Sequence, residues 1–229
     1  MIEVYCLPGT MCTELLWQEL FPFLPKHIVL KHVTLPVVSN LSEMVSVIIS
    51  QLPDRPVNLL GFSLGGYLVS EIARLAPERI ERAMVLSNSA SELPETEKQQ
   101  RQQALEWVLK SGYRGIPMKK AKAMLLPEHA VQERLLQIIL DMDGALGEAV
   151  FVAQLQATLE RRNNVAAIEE SGRPWQVLAG LGDQFVSSDA LKQIAQLSNV
   201  SVKVVAQSGH MLPLEQPKWV ANKMANFFV

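Results

Sequence analysis

The residues able to do chemistry converge on one serine. Ser63 lies in Gly61-Phe62-Ser63-Leu64-Gly65, between an apolar run from Val57 to Phe62 and a helical pattern that begins at once. A strand and a helix with no loop between them need a very sharp turn. The central residue of such a turn is strained, and its side chain stands clear of the sheet. Gly61 and Gly65 suit it because a Cβ at either would collide as helix and strand close up. Ser63 is therefore a candidate nucleophile at the carboxyl end of the strands, where open α/β sheets place their sites. The plainer alternative is a glycine-rich turn whose serine caps the helix.

A serine hydroxyl is a poor nucleophile at neutral pH. It needs a base within hydrogen-bond reach and a third group to orient that base. Of the four histidines, His27 and His32 flank an early strand and His129 sits near Pro127, and each is expected to be structural or solvated. His210, in Ser208-Gly209-His210-Met211-Leu212-Pro213, follows the last strand and falls at the same edge of the sheet as Ser63. Its neutral imidazole can take the serine proton and return it to a leaving group. Asp183 occupies the loop after a neighbouring strand, in Leu178-Ala179-Gly180-Leu181-Gly182-Asp183-Gln184-Phe185-Val186. Asp54 follows a helix, Asp141 and Asp143 fall in a helical stretch, and Asp189 fits a helix start. Asp183 is the best orienter of His210.

Elements to hold these groups are legible in the hydrophobic pattern. Apolar runs at Ile2–Leu7, 28–35, Val57–Phe62 and 83–86 alternate with helical patterns at 13–24, 41–52 and 64–75. Asn40 is placed to cap the second helix with Glu43 completing a capping box. Continuous apolar strands alternating with amphipathic helices imply an α/β fold with a parallel sheet covered on both faces. From residue 88 to 172 no strand is expected, only helical faces, with Gly144 and Gly147 interrupting the longest. That stretch is a candidate lid within a single domain spanning 1–229. Its Met118, Met124 and Met142 suit ordinary packing. The sheet resumes at 176–180, and a last strand at Val200–Val205 carries Lys203, as an edge strand would.

Bulk composition excludes other classes. The chain has 229 residues, 48% hydrophobic and 19% charged, with a formal net charge of -2 and no basic block. Neither nucleic acid nor an anionic membrane is an expected partner. No run approaches the ~18 apolar residues of a transmembrane helix. Met1 to Tyr5 lacks the basic and apolar regions of a signal peptide. Cys6 and Cys12 form neither a disulfide framework nor a zinc pattern. A cytoplasmic protein is expected.

With these residues in view, the sequence resembles the α/β-hydrolase superfamily, specifically its small carboxylesterase-like branch of the pimeloyl-ACP methyl ester esterase type. Gly61-Phe62-Ser63-Leu64-Gly65-Gly66 is similar to the family's nucleophile elbow. The loop ending in Asp183 is similar to its acid loop, and Ser208 to Pro217 to its histidine loop. The order serine, acid, histidine is also the family's. The chain starts at what would be the family's third strand, so six mostly parallel strands are expected. The resemblance implies an oxyanion hole made by the backbone N–H of Leu64 and, by match to the family's first-strand loop, that of Thr10. Pro8 stands where the family commonly has histidine, which leaves Met11 as an alternative donor. Cys12 suits a small packing residue.

The expected activity is a serine hydrolase acting on a carboxylic ester or thioester, with no metal or organic cofactor. The partner is a small-molecule substrate, an acyl-carrier-bound ester among the options. The same triad also serves a lyase of menaquinone synthesis and cofactor-free haloperoxidases, and the fold can carry a silent binding protein. A lyase of a polyanionic substrate would need several cations in its pocket, for which Arg114, Lys119, Lys120 and Lys122 are the supply in the insertion. Because the insertion is rich in apolar faces, an uncharged acyl chain is expected to suit the pocket.

Overall fold

In the computed structural model, which describes residues 1–229, the apolar runs form six strands: β1 (Ile2–Leu7), β2 (Ile28–His32), β3 (Val57–Phe62), β4 (Ile80–Leu86), β5 (Trp175–Gly180) and β6 (Val200–Val205). They make one wholly parallel sheet in the order β2-β1-β3-β4-β5-β6. Helices α1 (Leu41–Gln51), α2 (Leu64–Leu75), α7 (Ser188–Ile194) and α9 (Pro217–Phe227) follow β2, β3, β5 and β6, with a four-residue α8 (Leu212–Glu215) before the last. Strand periodicity sorts the core by face. Leu60, Met84 and Leu178 face one apolar cluster with Trp17, Val220 and Met224. Their neighbours Leu59, Val85 and Val177 face another, built on Met44, Ile48, Leu68 and Ile72 of α1 and α2. β6, with Lys203, lies at an edge as expected.

Two early elements depart from expectation. The run at 28–35 is a strand only to His32. Its partner β1 pairs Cys6 with His32 and then turns away at Pro8-Gly9, leaving no ladder beyond. Residues Glu14–Phe23 form a 3₁₀ helix containing Pro22, with Trp17 in its buried face and Phe23 exposed. Asn40 does cap α1, its side chain accepting from the Glu43 N–H.

Between β4 and β5 lie four helices and no strand: α3 (Glu95–Ser111), α4 (Met118–Ala123), α5 (Glu133–Thr158) and α6 (Val165–Glu170). Gly147, with φ 75°, breaks α5, whereas Gly144 continues it. The end of this insertion is tied to α2. Buried Glu71 accepts hydrogen bonds from the Tyr67 hydroxyl at 2.8 Å, Asn164 at 2.8 Å and Arg74 at 2.8 and 3.0 Å. The Arg162 N–H also reaches the Tyr67 oxygen at 3.0 Å. No helix is long and apolar enough to cross a membrane.

Candidate active site

β3 delivers Ser63 to the turn, and α2 begins at the next residue. Ser63 has φ 49° and ψ −112°, a conformation that L-residues avoid unless their surroundings impose it. A Cβ on Gly61 would lie 2.5 Å from the Gly65 carbonyl oxygen, and one on Gly65 would strike the Leu7 carbonyl at the end of β1. The glycines therefore allow two approaches, helix to strand and helix to the β1 loop. Met11, Ser87 and Ala90 are the other non-glycine residues with positive φ. Ser87 lines the same cleft as Ser63, and Met11 adjoins Thr10, which also lines it. Strain is thus gathered around one site.

The three residues singled out from the sequence meet here. Ser63 Oγ lies 3.0 Å from His210 Nε2. His210 Nδ1 lies 3.0 and 2.9 Å from the two oxygens of Asp183. Both side chains are almost wholly buried. With Nδ1 facing a carboxylate, the proton belongs on Nδ1 and the Nε2 lone pair faces the serine. Phe185 packs edge-on against the imidazole with ring centroids 4.8 Å apart.

The histidine loop is held from below and from the insertion. Ser87 Oγ donates to the His210 carbonyl at 2.8 Å, and the His210 N–H donates to the Met124 carbonyl at 2.8 Å. Buried Glu215 accepts from the Gly209 and Leu126 N–H groups, each at 2.9 Å, and pairs with His129 Nδ1 at 2.8 Å. His129 is therefore structural, as expected. Among the methionines of the insertion, Met142 is core, while Met124 lines the cleft and also braces His210.

Of the backbone donors, the Met11 N–H is committed to Gln154 Oε1 at 2.9 Å. Neither Thr10 nor Leu64 has an acceptor for its N–H, and Leu64 is the first residue of α2, where orphan donors and the positive helix end coincide. Gln154 was not legible as functional. Its one signal is a buried amide on the otherwise apolar face of Phe151 and Leu155. Cys12 is buried and its thiol is pushed up to about 12 by that burial, so it stays protonated and unreactive. No group of three or more His, Cys, Asp or Glu side chains is placed to hold a metal ion.

Ser63 and His210 open into a cleft of about 750 Å³ that residues of α3, α4 and α5 help to line. Its lining departs from the apolar pocket that the insertion's faces suggest. Phe151, Leu155 and Leu159 are joined by Arg101, Lys120 and Arg161. Of the cations considered from the sequence, only Lys120 reaches the cleft. Arg101 lay hidden in the polar run at 95–103, and Arg161 follows the apolar end of α5.

Comparison with known proteins gives a consistent picture. The family model described as Hydrolase_4, serine aminopeptidase S33, matches residues 34–217. A pimeloyl-[acyl-carrier protein] methyl ester esterase from Pectobacterium carotovorum is 34% identical over 95 residues, a match spanning 38% of this chain and only 37% of that relative. A malate-bound thermophilic esterase from Thermogutta terrifontis superposes with a TM-score of 0.84 at 19% identity, covering 99% of this chain and 89% of that one. MenH from S. aureus superposes at 0.77 with 18% identity, covering 99% and 92%. At these identities the structural likenesses establish the α/β-hydrolase fold.

Proposed function

The chain belongs to the Hydrolase_4 family (serine aminopeptidase, S33), and we propose that within it this protein is a serine hydrolase that cleaves a carboxylic ester or thioester. The observation that carries this reading is the Ser63–His210–Asp183 relay, with contacts of 3.0 and 2.9 Å at a strained elbow. Ser63 Oγ adds to the substrate carbonyl while its proton passes to His210 Nε2. The developing oxyanion accepts the Leu64 and Thr10 N–H groups, which have no other acceptor. The Met11 alternative is disfavoured because its N–H is already spent on Gln154. Asp183 holds the Nδ1 proton and stabilises the imidazolium. The tetrahedral adduct collapses, and His210 protonates the departing alcohol or thiol. Water, deprotonated by the same Nε2, then releases the acid and restores Ser63.

Helices α3 to α6 serve as the lid of this single domain, covering the cleft and choosing the substrate. The Pectobacterium relative's acyl-carrier methyl ester brings carrier-borne esters within the candidate substrates. Intact-mass spectrometry after a fluorophosphonate, on wild type and on Ser63→Ala, tests the reading. One adduct on wild type and none on the variant is expected, whereas a folded wild type that takes none would count for a silent binder. A pre-steady-state burst of alcohol from an ester then separates the acyl-enzyme hydrolase from the lyase and haloperoxidase alternatives.

A further inference from the structure

The cleft beside Ser63 is lined by four cations and four carboxylates, yet two of the cations, Arg161 and Lys120, take part in no ion pair. The Arg161 guanidinium carbon lies 4.7 Å from the centroid of the Tyr67 ring. Tyr67 stands one helical turn after Ser63, its N–H on the Ser63 carbonyl. Arg161 takes part in none of the ion pairs, and its Nε is buried without a hydrogen-bond partner. Arg101 holds Glu97 through Nε and one terminal nitrogen at 3.0 and 2.7 Å. Lys120 has no carboxylate within ion-pair distance, since nearby Asp143 is engaged by the Tyr113 hydroxyl and the Ile116 N–H. Three cations thus share one carboxylate. The other acids of the lining do not redress this: Glu92 and Glu95 are solvent-exposed, and Glu160 is exposed and paired with Lys98 at 2.6 Å.

Such an arrangement is costly as it stands. Burial first, and then repulsion from Arg101, pulls the Arg161 guanidinium down to about 9, still cationic at neutral pH. The same two causes lower the Lys120 ammonium. A buried cation without a counter-charge is retained at a cost in stability, which a bound anion would offset. A guanidinium lying over an aromatic face offers its N–H groups from its edge, a geometry suited to a planar carboxylate.

We propose that Arg161, with Arg101 and Lys120, forms a subsite for a carboxylate carried by the substrate away from the scissile carbonyl. This deepens the proposed hydrolase function and rests on it: the preferred substrate is an anionic ester, not the uncharged one that the apolar faces of the insertion suggest. The carboxylate can reside on the acyl or the leaving-group side, and two pairs of esters distinguish them. Monomethyl glutarate against dimethyl glutarate tests the acyl side. Acetoxybutanoate against its methyl ester tests the leaving side.

Wild type is expected to favour the charged member of one pair. Arg161→Gln should lower the charged-to-neutral ratio of kcat/KM by about tenfold to a hundredfold, the range of a charge-assisted hydrogen bond. Arg161→Lys should recover part of it. Lys120→Gln, on a residue that is largely solvent-exposed although its ammonium is partly desolvated, should lower the ratio several-fold. Neutral members favoured in both pairs, or a ratio unmoved by Arg161→Gln and Lys120→Gln, overturns the subsite. Calorimetric binding of glutarate to Ser63→Ala, lost on adding Arg161→Gln, keeps the two proposals apart. Binding without any hydrolysis by wild type sinks the hydrolase and supports the subsite. Hydrolysis of neutral esters with no glutarate binding does the reverse.

Discussion

The two walls of the cleft are built on different principles. The sheet wall, with Ser63, Asp183 and His210, is set by backbone. A strained turn, two glycines without room for a Cβ and loops springing from the same end of the parallel strands β3, β5 and β6 leave each side chain little choice. The insertion wall is set by side chains reaching over long sequence distances. Gln154 holds Met11 across 143 residues, Asn164 holds Glu71 across 93, and Leu126 donates to Glu215 across 89. The sheet wall carries the groups to which the proposed acyl transfer assigns the reaction. The insertion wall carries a mixture of apolar and cationic groups that only particular substrates need. If the proposed function holds, reaction and selectivity are separable in this way, and substitutions on the two walls should fail differently.

The largest effect belongs to the sheet wall. Ser63→Ala should lower kcat by about 10⁶-fold, as loss of a triad nucleophile does, with the circular dichroism spectrum unchanged. Asp183→Asn should lower kcat by about 10⁴-fold through loss of the correct His210 tautomer; full turnover in that variant would assign the orienting role to another acid. Gln154→Ala probes whether the walls are in fact separable. It frees the Met11 N–H and loosens the loop that carries Thr10, so kcat should fall by about tenfold to a hundredfold for charged and neutral esters alike, less than outright loss of an oxyanion donor. An effect on KM alone would confine Gln154 to the substrate side.

The smallest effect concerns the joint between the walls. Burial alone would raise the Glu71 carboxyl, but hydrogen bonds from Asn164, Arg74 and Tyr67 outweigh it and hold the group below the usual carboxylate range. A carboxyl lowered on folding contributes stability that is complete above its unfolded value, about 4.3, and is lost as pH falls through its folded value. Wild type should therefore lose stability more steeply than Glu71→Gln as pH falls below about 4.3, read as a larger drop in denaturant midpoint. Parallel curves would mean that Glu71 does not titrate with unfolding.

How much of this was readable beforehand follows from the same contrast. The strand order along the chain, the elbow and the choice of His210 and Asp183 rest on signals that act within a few residues. They are apolar periods of two or 3.6, glycines flanking a serine and loops that must open on one edge of a parallel sheet. Val33 to Leu35 read as strand because β-branched residues suit one, yet a ladder needs a partner, and β1 had already turned away. The polar run at 95–103 gives no sign of a site, and Glu95 in it is exposed, but Arg101 turns toward the cleft.

What the sequence by itself determined was the α/β architecture, the serine at its turn and the histidine and acid whose loops open beside it, because hydrophobic period and turn sterics are local. What only the tertiary structure decided was the character of the insertion wall of the cleft. Arg161 acquires meaning when it lies on Tyr67 without a carboxylate in reach, and Thr10 is left as the free donor when Gln154 takes the Met11 N–H. Both are facts about which distant side chains meet, and charge compensation and hydrogen-bond satisfaction can be judged only after they have met.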